Sequence, residues 1–309
     1  MLTMFPILFS LISAGAATPE FDLARTTAAF EANGFSCSHE ATAKSVQCKG
    51  EFDHSVYPEP VAFFIPLHFQ VHKFTDVILH LHGWVDAGET LDDTIKKFNF
   101  SEALGNSRRN AIMVVPRSNG HCDTFKNQLA LSHVFRGFMD RVMRLIMDAQ
   151  LAESMELGKL TLTGHSGSYS TLEATLAHQC ENAGRSTCYV DRVKEVFLFD
   201  CLYDNGDGFV KFAKTAPPFR FASVFIPLKK KDGSWKWTAK GNHALWATLN
   251  PRADDSTFLD STLAANASRE TITQAAAKGP LFMRSDVRHD MTFNKYFPIL
   301  LRTVHSRGI

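Results

Sequence analysis

The sequence predicts an α/β domain whose mostly parallel central sheet is flanked by helices. Short and nearly continuous apolar segments recur along the chain and indicate strands buried on both faces. Amphipathic segments alternate with them, as the crossover helices of a parallel sheet do. The sequence contains no internal repeat, low-complexity tract or interdomain linker. We therefore expect a single α/β domain over residues 17–309.

The predicted elements follow one another in a regular order. Residues 17–58 form an N-terminal elaboration, with a helix over 22–33 and a small β element around Cys37 and Cys48. Strands are predicted over 61–65, 76–81, 111–115, 159–163, 193–199, 219–226 and 281–283. Helices are predicted over 125–151, where apolar residues have helical spacing, and over 169–178 and 291–304. A mostly helical region over 243–278 is a candidate wall or cap of a pocket.

The composition excludes two classes of protein. The 309 residues include 33 Lys and Arg against 32 Asp and Glu, which gives a net charge of +1, and 45% of them are hydrophobic. Nucleic-acid binding needs a positive field that neutralises phosphates, so nucleic acid is not an expected partner. Disorder needs low hydrophobicity and high net charge, and the chain has neither. The 26 Phe residues are expected in the core.

The first 16 residues are interpreted as a signal peptide. Residues 1–14 contain an apolar run, and Ala14-Gly15-Ala16 is a small-x-small site of the kind that a signal peptidase cuts. The run is too short to cross a bilayer, which needs about 20 apolar residues, and no other segment reaches that length. A buried N-terminal helix is the alternative. The interpretation predicts a secreted or periplasmic protein whose mature chain begins near Ala17.

The six cysteines are expected to form disulfides, because an exported protein meets an oxidising compartment. The predicted bridges are Cys37–Cys48, Cys180–Cys188 and Cys122–Cys201. The first two close short polar stretches, whereas Cys122 and Cys201 are paired only because each follows a predicted strand. The sequence has no CxxC pair and no Cys near a paired His, so structural bridges are favoured over a metal site.

The segment Gly164-His165-Ser166-Gly167-Ser168 is the main indication of catalytic chemistry. It has the pattern G-x-S-x-small and lies between a predicted strand and a predicted helix. Small residues on both sides of Ser166 allow the sharp turn that exposes the hydroxyl. The turn also leaves the next backbone N–H and the helix N-terminus facing any oxyanion that develops there. The fifth position is Ser168, where the motif usually has Gly.

With this segment in place, the chain resembles the α/β-hydrolase superfamily from about residue 60 to the C-terminus. In that family a His-Gly pair closes the strand two before the elbow strand, and His82-Gly83 closes such a strand here. The resemblance implies an oxyanion hole made by the backbone N–H groups of Trp84 and Gly167. It also implies a catalytic triad in the chain order Ser, acid, His.

Two further residues fit that order and would lie at the carboxyl edge of the sheet, where the sites of parallel sheets collect. Asp200 ends the strand after the elbow, and His289 lies in the loop after the last strand. Ser166 would be the nucleophile, His289 its base and Asp200 the acid that orients the imidazole. Asp204 is the alternative acid. Asp232 follows a lysine run and is interpreted as a turn residue.

Several other residues have two interpretations. His80 and His82 share a strand face, as metal ligands would, but no metallo-hydrolase motif surrounds them, so supporting or core histidines are favoured. His243 is a rival base, and His165 either lines the site or fills the variable position. A lysine-rich hairpin is either solvated or contacts an anionic or sugar substrate (Lys229, Lys230, Lys231, Trp235, Trp237). The sequence also contains two glycosylation sequons, at Asn99 and Asn266.

Together these observations predict a secreted serine hydrolase that cleaves a carboxylic ester through an acyl-enzyme intermediate. The substrate would be a small-molecule or polymer-attached ester, and no cofactor or metal is expected. Two alternatives are a serine peptidase or amidase with the same triad, and a binding protein that keeps the fold without catalysis.

Overall fold

A nine-stranded sheet lies at the centre of the protein in the computed structural model, which describes residues 21–40, 42–177, 188–215, 219–252 and 257–303. Its strands are β1 (Ser36–Ser38), β2 (Ser45–Gly50), β3 (Val61–Pro66), β4 (Thr75–Leu81), β5 (Ala111–Pro116), β6 (Leu157–His165), β7 (Val193–Phe199), β8 (Arg220–Phe225) and β9 (Leu281–Arg284). The spatial order is β1-β2-β3-β5-β4-β6-β7-β8-β9. Strands β4 to β9 pair in parallel, and β1, β2 and β3 form an antiparallel edge. The predicted mostly parallel sheet is therefore confirmed.

Helices cover both faces of this sheet. They are α1 (Leu23–Ala32), α2 (Leu91–Phe98), α3 (Phe100–Ser107), α4 (Ser132–Asp148), α5 (Tyr169–Ala177), α6 (Asp207–Thr215), α7 (Trp237–Leu249), α8 (Phe258–Ser261), α9 (Arg269–Lys278) and α10 (Thr292–Thr303). The buried apolar side chains form two clusters, one on each face. One cluster includes residues of α1, α4, α5 and α6, and the other includes residues of α2, α3, α9 and α10. Because both faces are covered, most residues of the central strands are buried.

The N-terminal elaboration adds an antiparallel hairpin to one edge of the sheet. The side chain of Asp22 caps α1 by accepting a hydrogen bond from the backbone N–H of Arg25 at 3.0 Å. In the hairpin Cys37 lies directly opposite Cys48 and is joined to it by a disulfide, as predicted. The chain then continues through β2 into β3.

Three helices were not expected from the sequence, and one expected helix is interrupted. The unexpected helices are α2, α3 and α6. The predicted helix over 125–151 is a single π-helical turn, Phe125–Leu129, followed by the separate helix α4, because the backbone of Leu131 is extended. The helical region predicted to begin at 243 begins at Trp237 instead.

The strand register places several loops side by side at one edge of the sheet. The chain runs from β4 to β5 on one side of β4 and then to β6 on the other, so β4 and β6 flank a topological switch point, where ligand sites of such sheets occur. Leu81 of β4 pairs with Gly164 of β6, and His165 pairs with Phe199 of β7. The residues that follow these strands are therefore neighbours.

Two sequence interpretations concern residues outside the described ranges. The proposed signal peptide, residues 1–16, precedes the first described residue, and Cys180 lies in the range 178–187. Among the described helices, none is long and apolar enough to cross a membrane.

Candidate active site

Ser166 lies at a sharp turn between β6 and α5. Its backbone has φ 54°, a conformation that non-glycine residues rarely adopt. Two glycines in contact with this turn leave no room for a side chain. A Cβ on Gly164 would lie 2.5 Å from Leu172 Cδ1, and a Cβ on Gly83 would lie 2.5 Å from Ser166 Cβ. The chain thus turns sharply at Gly164-His165-Ser166, the segment interpreted as the elbow, and the Gly83 backbone packs directly against it.

Asp200 and His289 form a hydrogen-bonded pair beside this turn. His289 Nδ1 lies 2.6 Å from Asp200 Oδ2, and the Asp200 side chain is only 5% exposed. The other carboxylate oxygen of Asp200 accepts hydrogen bonds from the backbone N–H of Ile226 at 3.2 Å and from the Thr238 hydroxyl. Asp200 itself has φ 46°. The carboxylate is therefore held from three directions, by the segments that follow β8 and β9 and by α7.

His165 connects His289 to the serine turn. Its Nε2–H donates to the backbone carbonyl of His289 at 2.9 Å, and the two imidazole rings lie 4.6 Å apart between centroids. Burial lowers the pKa of His165 to about 3, so this ring is neutral. The residue directly before Ser166 therefore fixes the loop that carries His289.

The Ser166 hydroxyl is near the phenol of Tyr203. Burial raises the pKa of Tyr203 to about 12, and the Ser166 hydroxyl acts in the opposite direction. Within the described chain, Ser166 makes no hydrogen bond to His289. Catalytic hydrogen bonds are often long in ligand-free sites and tighten when substrate binds. Sequence reasoning did not single out Tyr203, which lies three residues after Asp200 in a loop.

Hydrogen bonds of His82 hold the loop after β4 in place. The backbone N–H of Ser118 donates to His82 Nε2 at 2.8 Å, so the ring proton is on Nδ1, which donates to the Gly83 carbonyl at 2.7 Å. The N–H and C=O of a trans peptide point in opposite directions. The Trp84 N–H is therefore directed away from His82, on the loop that contacts Ser166. Burial lowers the pKa of His82 to about 4, which keeps the ring neutral.

The fifth residue of the motif is buried and supports the turn. The Ser168 hydroxyl donates to the carbonyl of His165 at 3.0 Å and lies 3.5 Å from the Cys201 sulfur. Gly167 has more room than Gly164, because a Cβ there would meet only the Cys122 sulfur at 3.5 Å. Ser168 thus satisfies a backbone carbonyl that Gly could not.

The predicted Cys122–Cys201 disulfide is wrong. Both residues are buried free thiols, Cys122 next to Gly167 and Cys201 next to Gly164. Cys188 is disulfide-bonded, and its predicted partner Cys180 lies outside the described residues.

The residues considered as alternative acids or as an alternative base make other contacts. Asp204 accepts a hydrogen bond from the adjacent backbone N–H of Asn205 at 2.7 Å. Asp232 accepts two from Ser234 in the hairpin turn. His243 is in α7, where its ring packs against Phe258 at 5.0 Å. The carboxylate that contacts His289 is that of Asp200.

His80 and His82 do not share a face, contrary to expectation. Strand β4 ends at Leu81, so the alternation of side chains stops before His82. His80 packs against Phe293 in one core cluster, and His82 packs against Phe125 in the other. Among the described residues, no group of three or more His, Cys, Asp or Glu is arranged to hold a metal ion.

The sheet order, the strained serine turn after β6 and the His-Gly loop after β4 together define the α/β-hydrolase fold, as the sequence predicted. No family model matches the chain, and no curated protein matches it in sequence.

Several solved structures are similar to this one. The S-formylglutathione hydrolase from Agrobacterium tumefaciens is 11% identical, with a TM-score of 0.48 over 87% of this chain and 97% of that one. A ferulic acid esterase from the anaerobic fungus Anaeromyces mucronatus is 12% identical, with a TM-score of 0.46 over 87% and 95% of the two chains. The poly(3-hydroxybutyrate) depolymerase from Bordetella parapertussis is 12% identical, with a TM-score of 0.44 over 91% and 92%. At such identities the likeness is one of fold.

Proposed function

We propose that this protein is a serine hydrolase that cleaves a carboxylic ester through an acyl-enzyme intermediate. The observation that carries the proposal is the serine turn itself. Ser166 is held at φ 54° and directly follows the residue that binds the His289 loop, while His289 Nδ1 lies 2.6 Å from Asp200. Such strain in a non-glycine residue persists where the surrounding structure enforces it, and it clusters at active sites.

The hydrogen bonds support one role for each residue of the proposed triad. An ionised carboxylate only accepts hydrogen bonds, so the proton that faces Asp200 is on His289 Nδ1. His289 Nε2 then carries the lone pair that takes the proton of Ser166 as its oxygen attacks the ester carbonyl. The same nitrogen returns that proton to the leaving alcohol. Asp200 stabilises the imidazolium that exists between the two transfers.

The oxyanion formed by that attack would be bound by two backbone N–H groups. Gly167 N–H follows the nucleophile at the start of the turn into α5, and Trp84 N–H lies on the loop that packs against Ser166. Backbone donors of this kind are oriented before the reaction and need no reorganisation during it.

The test is the hydrolysis of p-nitrophenyl acetate by the purified protein. We expect Ser166→Ala to abolish turnover, with a loss of at least about 10³-fold, whereas Ser170→Ala, four residues further on in α5, should retain it. Labelling by an organophosphonate should be confined to Ser166. Turnover retained in Ser166→Ala contradicts the proposal, absence of both turnover and labelling favours the inactive binding protein, and faster cleavage of a peptide panel favours the peptidase.

We also infer that the protein is exported. The Cys37–Cys48 disulfide supports an oxidising compartment, since cytosolic proteins rarely keep such bonds. N-terminal sequencing of the mature protein should begin near Ala17. A mature chain that begins at Met1 contradicts this inference.

A further inference from the structure

Residues 227–237 form a hairpin, here called the arm, whose two ends meet at the carboxylate of Asp200. Ile226, just before the arm, donates its backbone N–H to Asp200, and Thr238, just after it, donates its hydroxyl to the same oxygen. Within the arm Lys229 pairs with Trp235 in an antiparallel bridge, and the Lys230 N–H donates to the Ser234 carbonyl at 2.7 Å. The arm is therefore an ordered element attached to the proposed acid of the triad.

The arm carries an excess of positive charge. Its lysines are Lys229, Lys230, Lys231 and Lys236. None of them forms an ion pair with any residue in the described part of the chain. The only acidic residue of the arm, Asp232, is occupied by the backbone N–H and hydroxyl of Ser234. The positive charge of these lysines is therefore available to attract an anionic ligand.

Exposed aromatic side chains follow β4, β7 and β8, at the same edge of the sheet as the serine turn. Trp237 is 66% exposed, has φ 45° and directly precedes Thr238. Tyr203 is 40% exposed and lies near the Ser166 hydroxyl, and Trp84 of the proposed oxyanion loop is 56% exposed. Exposed aromatic rings of this size grouped at one edge of a sheet indicate a binding surface.

The polarity of the arm indicates which class of ligand it suits. The tip, Lys230 to Ser234, is entirely polar and exposed, so the arm is unsuited to enter a bilayer with its tip first. Nucleic acid is anionic and has rings, but its backbone contains no carboxylic ester for the proposed reaction. An acidic polysaccharide has carboxylates for the lysines, ring faces for the tryptophans and hydroxyls that can be esterified.

We propose that the arm binds an acidic polysaccharide and presents an ester on that polymer to Ser166. This inference rests on the proposed esterase function. Sugar rings would pack on Trp237 and Trp84, and uronate groups would lie among the arm lysines. Because Ile226 and Thr238, the residues that flank the arm, are both bonded to Asp200, a polymer bound by the arm lies beside the triad.

The experiment compares acetylated polygalacturonate, an acetylated neutral galactan and p-nitrophenyl acetate as substrates. The wild-type protein should have a higher kcat/KM on the acidic polymer than on the neutral one. In the triple variant Lys229→Gln, Lys230→Gln and Lys231→Gln, the ratio of kcat/KM for acetylated polygalacturonate to that for p-nitrophenyl acetate should fall roughly tenfold at low salt. The difference between variant and wild type should shrink at about 0.5 M salt, where charges are screened within a few ångströms.

A matched control removes the same charge from the opposite edge of the sheet. Lys73, Lys159 and Lys278 are exposed and lie near the amino ends of β4, β6 and β9, so Gln at all three should leave the ratio unchanged. An equal fall in both triple variants, or no wild-type preference for the acidic polymer, overturns the inference.

Direct binding separates this inference from the proposed function. Ser166→Ala should bind unesterified polygalacturonate, and Trp237→Ala in the same background should weaken that binding. Binding to anionic phospholipid vesicles without binding to polygalacturonate contradicts the inference. Absence of p-nitrophenyl acetate turnover in the wild type contradicts the proposed function, whatever the polymer does.

Discussion

Four residues around the site share a backbone conformation that costs free energy. Ser166, Asp200, Cys122 and Trp237 have φ of 54°, 46°, 65° and 45°. Each such residue costs of the order of 1–3 kcal/mol, which the packing around it must offset. The other positive-φ residues outside glycine in the described ranges, Asn99, Arg108 and Gln150, follow helices, where this conformation is common.

Gly83→Ala tests how closely the loop after β4 packs against the serine. The new Cβ would lie 2.5 Å from Ser166 Cβ and 3.0 Å from His165 Nδ1, so the turn must move. We expect kcat for p-nitrophenyl acetate to fall about 100-fold, because displacements near 1 Å have that effect on positioned groups. Gly137→Ala in α4, where a Cβ meets nothing within 4 Å, should leave kcat unchanged. Unchanged kcat in Gly83→Ala would contradict this packing.

His82→Phe tests whether His82 orients the proposed oxyanion donor. The ring remains, but the Gly83 carbonyl loses its donor and the Ser118 N–H its acceptor. We expect kcat to fall roughly tenfold or more with little change in KM, since the donor acts only in the transition state. Affinity for a boronate transition-state analogue should fall in parallel, and His82→Gln, which keeps a donor, should recover part of the loss. A rise in KM at constant kcat would be inconsistent with this role.

Some of the site residues could be predicted from the sequence and others could not. Ser166 and His289 are identified by a local motif and by chain order. Asp200 and Asp204 are four residues apart in one loop, and only the turn at φ 46° directs the former to His289. Thr238 and Tyr203 leave no sequence signal, because each reaches the site through a contact between separate segments.

Among the elements, strands β3 to β9 were predictable because each contains a short and largely apolar run. Strands β1 and β2 are mostly polar and were expected only as a small β element around Cys37 and Cys48. The missed helix α2 also has a local signal, a capping box in which Thr90 and Asp93 bond reciprocally. By contrast, α3 follows Asn99, whose side chain makes no capping bond, so its start depends on tertiary packing. The break at Leu131 before α4 also depends on tertiary packing, because no adjacent Gly or Pro predicts it.

Thr238→Val tests the link between α7 and Asp200. The substitution keeps the side-chain shape and removes the hydroxyl that donates to the carboxylate. Loss of a hydrogen bond to a charged group is expected to cost about 1.5–3 kcal/mol, and we expect kcat to fall roughly tenfold because Asp200 is less well positioned. Thr248→Val in the same helix removes only a bond to the Ala244 carbonyl and should not change kcat. Equal effects of the two substitutions would exclude a specific role of Thr238.

At the scale of the whole molecule, buried neutral histidines make stability depend on pH. Burial lowers the pKa of His165 to about 3 and that of His82 to about 4, and it places the pKa of His80 well below its usual range. Below about pH 6.5 the unfolded chain protonates these residues while the folded chain does not. Stability from these groups is therefore present above pH 6.5 and is lost as the pH falls towards 4.

The expected slope is about 1.4 kcal/mol per pH unit for each histidine. The free energy of unfolding is measured by urea titration at pH 7, 6 and 5 for the wild type and for His80→Gln. The difference between the two proteins should become smaller by about 1.4 kcal/mol for each pH unit below pH 6, because only the wild type loses the contribution of His80. His54→Gln, which changes an exposed histidine, should leave the slope as in the wild type. A parallel pH dependence in wild type and His80→Gln would show that His80 is protonated in the folded state.

The two free thiols beside the elbow give the fold an internal reporter. Burial raises the pKa of Cys122 to about 12 and raises the pKa of Cys201 as well, so neither thiol is nucleophilic while it stays buried. A thiol-directed alkylating reagent can reach them only when the elbow opens. The rate of alkylation in native buffer thus measures the free energy of local opening at the proposed nucleophile, without any substrate.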